Sequence, residues 1–295
     1  DLLSLTLFKR SPDARRRNAI LFICIVDVEV RDEAALLRRF GGDQQIGPSP
    51  DTSYVPVAQA PATLKDRPLV VGFGPGGLFA ALVLAQMGFR PIVLERGREV
   101  RRRTQDTWDL WRRNTLHPES NVQFGEGGAG LFSDGKLYSQ IKDPKFYGRK
   151  VMREFVAAGA PPEILYVSKP HIGTFRLTGV VTKMREQILA LGGEVRFESR
   201  VTDLLVENGG VEGVMLASGE QITSRHVVLA LGHSSRDTFR MLERRGVHLD
   251  AKPFAIGFRI EHPQSMIDVA RLGRYAGHPL LGAADYKLVH HARNG

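Results

Sequence analysis

The sequence has a single cysteine, Cys24, among its 295 residues. A disulfide within the chain, a redox-active cysteine pair and a cysteine-based metal centre are therefore excluded, and electron chemistry has to rest on a bound cofactor. Cys24 lies in an apolar run, where a buried strand residue is expected and a reactive thiol is the alternative. Long apolar runs are also lacking. The longest, residues 19–26, falls far short of the ~20 residues that cross a bilayer and leads straight into charged residues 27–33. Nothing near Asp1 has the order of basic, apolar and small-residue segments that marks a secretory leader. The expectation is a cytoplasmic protein with no membrane partner.

With 42% hydrophobic and 25% charged residues, the composition is that of an ordinary globular chain, long enough for roughly two domains. The net charge of +9 draws on clusters at 15–17, 101–103, 112–113 and 244–245. Dispersed clusters of this kind read as a solvated surface. Basic surfaces also attract polyanions, so RNA stays open as a rival partner.

Residues 1–45 alternate apolar stretches with an arginine-rich turn and end in a helical pattern, as a small α+β unit does. Residues 46–67 are rich in Pro, Ser, Thr and Gln and suit a linker. Residues 68–249 read as an α/β nucleotide-binding domain of Rossmann type with a β-meander and an insertion. Strand patterns fall at 68–71, 91–94, 195–197, 201–206, 211–216 and 227–231, and a helix falls at 177–191. Residues 250–295 open a further substrate or cap domain, with a strand pattern at 254–260 and a helix from Pro263.

The informative motif is Gly72-Phe73-Gly74-Pro75-Gly76-Gly77, because it follows a strand and opens a helix. Gly72 permits the tight turn, Gly74 admits a pyrophosphate close to the backbone, and Gly77 lets helix and strand pack closely. The anion then sits at a helix N-terminus, where unsatisfied N–H groups and the dipole favour it without a basic side chain. Glu95 ends the second strand 23 positions after Gly72. A carboxylate there accepts from the 2′- and 3′-hydroxyls of an adenosine ribose and disfavours a 2′-phosphate.

Residues 125–130 repeat the glycine spacing without a strand before or a helix after. They are read as a flexible loop bringing Gly128, Ala129 and Gly130 close to the cofactor, with Ser133 and Lys136 as further donors to a phosphate or a reduced flavin.

Three features together, Gly72 to Gly77, Glu95-Arg96 and Ala230-Leu231-Gly232, resemble the FAD-binding family that includes glutathione reductase. The strings at 121–130, 133–136, 169–174 and 253–264 are similar to a bacterial family of uncharacterised NAD(P)/FAD-dependent dehydrogenases, over nearly the whole chain. That resemblance implies a flavoprotein oxidoreductase that binds FAD, with NAD(P)H as an external reductant. It implies too that Arg96 lies near the ribose or pyrophosphate, that Val201 meets adenine through its backbone, and that Ala230 and Gly232 pass beside the cofactor. Relatives of this kind run on past Gly295, so a chain lacking its C-terminal part is expected.

Catalytic residues are not assigned, because flavin N5 accepts hydride directly. His171 is weighed as a general acid or base against a hydrogen-bonded structural histidine. His290, His291 and Asp285 lack metal-ligand spacing, so no metal is expected. Two other readings stay open: a flavin-dependent enzyme acting on RNA, and a non-catalytic flavin-binding scaffold.

Overall fold

A computed structural model describes residues 2–16, 18–133, 135–137, 139, 141–252, 257, 260–286, 289 and 290. The chain divides into two units, one of residues 1–50, 166–168 and 251–295, the other of residues 51–165 and 169–250. In the first unit β1 (Leu2–Asp13) and β2 (Leu21–Val30) form an antiparallel hairpin. Helix α1 (Glu33–Arg39) follows, its N-terminus capped by the Asp32 carboxylate, which accepts from Ala35 N at 2.9 Å. Cys24 is exposed on β2, contrary to the buried position expected. A two-stranded ribbon covers little of itself, and Leu3, Leu5, Ile23 and Ile25 are exposed alongside it.

The second unit begins with β3 (Leu69–Val71), α2 (Pro75–Gln86) and β4 (Ile92–Leu94), the βαβ arrangement expected from the glycine motif. Both strands are buried on both faces, which is why they read as continuous apolar runs. Helices α3 (Val100–Arg113), α4 (Tyr147–Ala157) and α5 (Thr174–Ala190) come next. Then follow β5 (Glu194–Arg196), a meander of β6 (Val201–Glu207), β7 (Gly210–Leu216) and β8 (Gln221–Thr223), and finally β9 (Val227–Leu229) and α6 (Arg236–Arg244). The parallel sheet has the order β5-β4-β3-β9, and the meander forms a separate antiparallel sheet, β6-β7-β8.

Period-two alternation along β3 and β4 makes the sheet the middle layer of a sandwich. Val70 and Val93 point to one side, where Leu82 of α2 and Val180, Met184 and Ile188 of α5 pack on them. Leu69, Val71, Ile92 and Leu94 point to the other, onto Leu204, Val214 and Ile222 of the meander and Met241 and Leu242 of α6.

Helices α3, α4 and α6 are not among the expected elements, although α4 carries Val151, Met152, Phe155 and Val156 on one face and α6 carries Phe239, Met241 and Leu242. In α3 the ends supply the definition: the Glu99 carboxylate accepts from Arg101 N and Arg102 N at 3.0 Å each, and Asn114 closes the helix at φ 54°. Helix α7 (Gln264–Leu272), in the first unit, lies where expected. The strand pattern at 254–260 lies outside the described residues apart from Gly257 and Ile260. Among the described residues no helix is long and apolar enough to cross a membrane.

Candidate functional site

At the C-terminal ends of β3, β4 and β9 lies a cleft of about 690 Å³, the place where open α/β sheets bind ligands. Its floor is the turn from β3 into α2. Gly72 there has φ +98°, and a Cβ would stand 2.5 Å from Ala230 O; at Gly77 a Cβ would stand 1.9 Å from Gly72 O. Both glycines thus have the steric reasons read from the sequence, turn and close packing. The first i to i−4 bond of α2 runs from Leu78 N to Gly74 O at 2.8 Å, so the Gly76 and Gly77 N–H groups precede the helical ladder, and Gly76 lies in the lining of the cleft, where an anion can meet the helix N-terminus.

The second glycine string is the opposite wall. Residues 125–128 are buried, not the flexible loop expected. Gly127 N donates to Phe73 O at 2.9 Å, and a Cβ on Gly128, at φ +60°, would lie 2.8 Å from Gly74 Cα. The two glycine loops are in backbone contact, and the approach requires Gly128 to lack a side chain.

Arg103 holds this wall. The residue has no exposure, and its guanidinium donates from Nε to Asn121 O at 2.8 Å, from Nη1 to Glu126 O at 2.6 Å and Gly128 O at 2.9 Å, and from Nη2 to Val122 O at 2.8 Å. Burial lowers its pKa to about 10. Glu126, also fully buried, accepts through Oε2 from Val100 N at 2.7 Å and Arg185 Nη1 at 3.1 Å, while its Oε1 has no hydrogen-bond donor among the described residues. Burial pushes the Glu126 carboxyl above the usual range, against those two donors. The cluster at 101–103 is therefore not all solvated surface: Arg101 and Arg102 are exposed, and Arg103 is at the centre of a loop.

Glu95 is only 4% exposed. Its Oε2 accepts from Phe73 N at 2.7 Å, and its Oε1 from Gly97 N at 2.8 Å and Gly125 N at 2.9 Å. The carboxylate thus ties the first glycine loop to the second while still lining the cleft. Arg96 lies over the Phe124 ring at 4.1 Å and pairs with Glu119 at 2.7 Å and Asp237 at 3.0 Å. Burial pulls its pKa down, and these two carboxylates more than offset that, leaving it raised.

Of the residues expected at the cofactor, Gly72, Gly74, Pro75, Gly76, Glu95 and Arg96 line the cleft. So do Gly128, Ala129, Gly130, Val201, Ala230 and Gly232. Gly77 is buried behind the floor, and Ser133 and Lys136 lie outside the lining. The sequence reading missed the α6 side, where Ser235, Thr238, Phe239 and Leu242 close the cleft with Val247 and Leu249. It also missed Arg103 and Arg200, the latter lining the cleft and pairing with Asp237 at 3.5 Å. The polar spacing of α6 hid the former group, and the run of three arginines hid Arg103. His171 is exposed; His291 lies outside the described residues, among which no cluster of three metal-ligating side chains occurs.

Residues 253–295 match the family described as FAD-dependent protein, C-terminal domain-like. Over 290 residues the chain is 48% identical to an uncharacterized protein of Clostridium beijerinckii, an alignment covering 98% of this chain and 54% of that protein. The chain thus spans about half the length of this relative. Among solved structures it is similar to THI4 of Thermovibrio ammonificans, with a TM-score of 0.40 and 18% identity over 62% of this chain and 64% of that one. It is similar also to glycine oxidase of Bacillus cereus, with a TM-score of 0.34 and 15% identity over 62% of this chain and 59% of that one.

Proposed function

We propose that the cleft binds FAD and that the protein is a flavin-dependent oxidoreductase, with NAD(P)H as the external reductant. The observation that carries this reading is the pair of glycine loops in backbone contact at the end of β3, tied together by a buried carboxylate that also faces the cleft. The residues present fit a dinucleotide: free N–H groups at the start of α2 for the pyrophosphate, Glu95 for the ribose, and apolar Leu242, Val247 and Leu249 for a base. Similarity of residues 253–295 to a family named for FAD favours that dinucleotide over NAD. When bound, FAD supplies a ring that accepts or gives hydride, so the chain's own residues need only bind, orient and exclude water.

The test is the absorbance spectrum of the purified protein, with chromatography of whatever denaturation releases and titration with FAD. Released or bound FAD, followed by bleaching with NADH or NADPH, is the expected result. Protein that carries no flavin and takes none up overturns the reading.

A further inference from the structure

Two strings from the sequence, 133–136 and 169–174, meet in the structure. Lys136 and His171 form an isolated antiparallel bridge. Leu137 N donates to Pro170 O at 2.9 Å and Ile172 N to Gly135 O at 3.1 Å. These bonds flank the Lys136–His171 pair without joining it, so it is of the non-hydrogen-bonded kind, with Cα atoms about 4.5 Å apart and side chains at their closest on one face. The neighbours Gly135 and Ile172 are buried against Leu177, which leaves Lys136 and His171 facing outward, both exposed.

Neither Lys136 nor His171 has a hydrogen-bonding or ion-pairing side-chain partner among the described residues. Arg176, exposed in the first turn of α5 shortly after His171, is in the same condition. Both side chains end in nitrogen atoms that can donate, and they stand directly opposite one another on one face. An anion placed between them meets a donor from each. Along the chain the bridge follows the cleft wall closely: Gly130 lines the cleft, Ser133 N and Oγ both bond Gly130 O at 3.2 and 2.9 Å, and Lys136 comes three residues after Ser133.

We propose that Lys136 and His171 bind the anionic group, a carboxylate or a phosphate, of the second molecule that meets the cofactor. Lys136 then serves the substrate and not FAD. The inference rests on the FAD reading only for what the cleft holds; the anion site stands on the bridge itself.

The experiment follows the ring resonances of His171 by NMR, assigned with His171→Gln, in protein saturated with ADP so that the glycine loops are occupied. Inorganic phosphate and succinate are titrated separately into wild type and Lys136→Met. Expected are shifts of the His171 ring with one or both anions, and affinity weakened about tenfold or more in Lys136→Met, as for loss of a charge-assisted hydrogen bond. The thermal midpoint stays unchanged, both side chains being exposed. A response to phosphate alone assigns the site to a phosphate-bearing molecule, and a response to succinate alone to an organic acid. Resonances that move with neither anion, or equal affinity in Lys136→Met, overturn the proposal. If wild type fails to bind ADP, it is the dinucleotide reading that falls, and the anion titration still decides this one.

Discussion

Replacing Arg103 by Met tests the idea that one buried cation holds the second glycine loop. The side chains are similar in volume, but the carbonyls of Asn121, Val122 and Glu126 lose their donor, and Gly128 O keeps only Leu131 N at 3.3 Å. A buried acceptor left unpaired costs about 1–3 kcal/mol. Relaxation and water entry recover part of that, so the net loss is about 4 kcal/mol, within the range of about 3–5 for breaking a buried charged network. At about 2–4 °C per kcal/mol for a domain of this size, the thermal midpoint falls by roughly 10 °C. Arg103→Lys keeps the charge but not the planar fork, and one ammonium cannot span four carbonyls, so it recovers only part of the loss. Because Gly128 forms the wall facing Gly74, ADP affinity falls as well, by about tenfold or about 1.4 kcal/mol. Calorimetric unfolding and ADP titration of the three proteins decide the matter. A loss below about 1 kcal/mol in Arg103→Met, the level of an exposed ion pair, refutes the argument.

Gly128→Ala adds a methyl 2.8 Å from Gly74 Cα at φ +60°, and ADP binding measured by calorimetry should weaken about tenfold as the loops part. Gly179→Ala is the contrasting case: within α5, with open space around the new Cβ, it should raise stability by about 1 kcal/mol in urea unfolding and leave ADP binding alone. Glu126→Gln should change the pH dependence of stability. The folded-state pKa of Glu126 is raised by burial, so the native protein holds a proton that the unfolded chain releases near 4.5, and stability falls as pH rises from there through the folded value. The difference in unfolding free energy between wild type and Glu126→Gln, measured from pH 4 upward, should shift in favour of the variant over that window; a constant difference contradicts the assignment.

The βαβ unit was legible because every residue in it has a local reason: buried strands written as apolar runs, glycines where a Cβ would strike backbone, a carboxylate at the end of the second strand. Nothing local distinguishes Arg103 from Arg101 and Arg102. Its burial follows from facing a loop some twenty residues later whose carbonyls converge on it. For the same reason the string at 125–128 read as flexible: Gly128 fits against Gly74 and Gly125 against Arg103, contacts that no short window of sequence contains. Cys24 failed in the other direction, since apolar neighbours imply burial only where a further layer covers the strand. Helix α6, with few apolar residues, was missed although Met241 and Leu242 anchor it in the core.

Glu95 shows how a residue predicted for the ligand also works for the fold. An ionised carboxylate has about four acceptor sites, and the N–H groups of Phe73, Gly97 and Gly125 take three. One site is left to face the cleft, enough for one ribose hydroxyl but not two. Glu95→Ala therefore cannot isolate the ribose contact, because it also frees three buried N–H groups and loosens both glycine loops. The ligand has to be varied instead. Wild type should bind ADP more tightly than 2′-deoxy-ADP or 3′-deoxy-ADP, with the penalty concentrated on whichever hydroxyl reaches the free site. That penalty is about 1.5–3 kcal/mol, roughly tenfold to a hundredfold, as for a hydrogen bond to a charged group. Equal affinity for all three nucleotides would make Glu95 solely a tie between the loops, and the ribose would then be held by residues of the α6 wall.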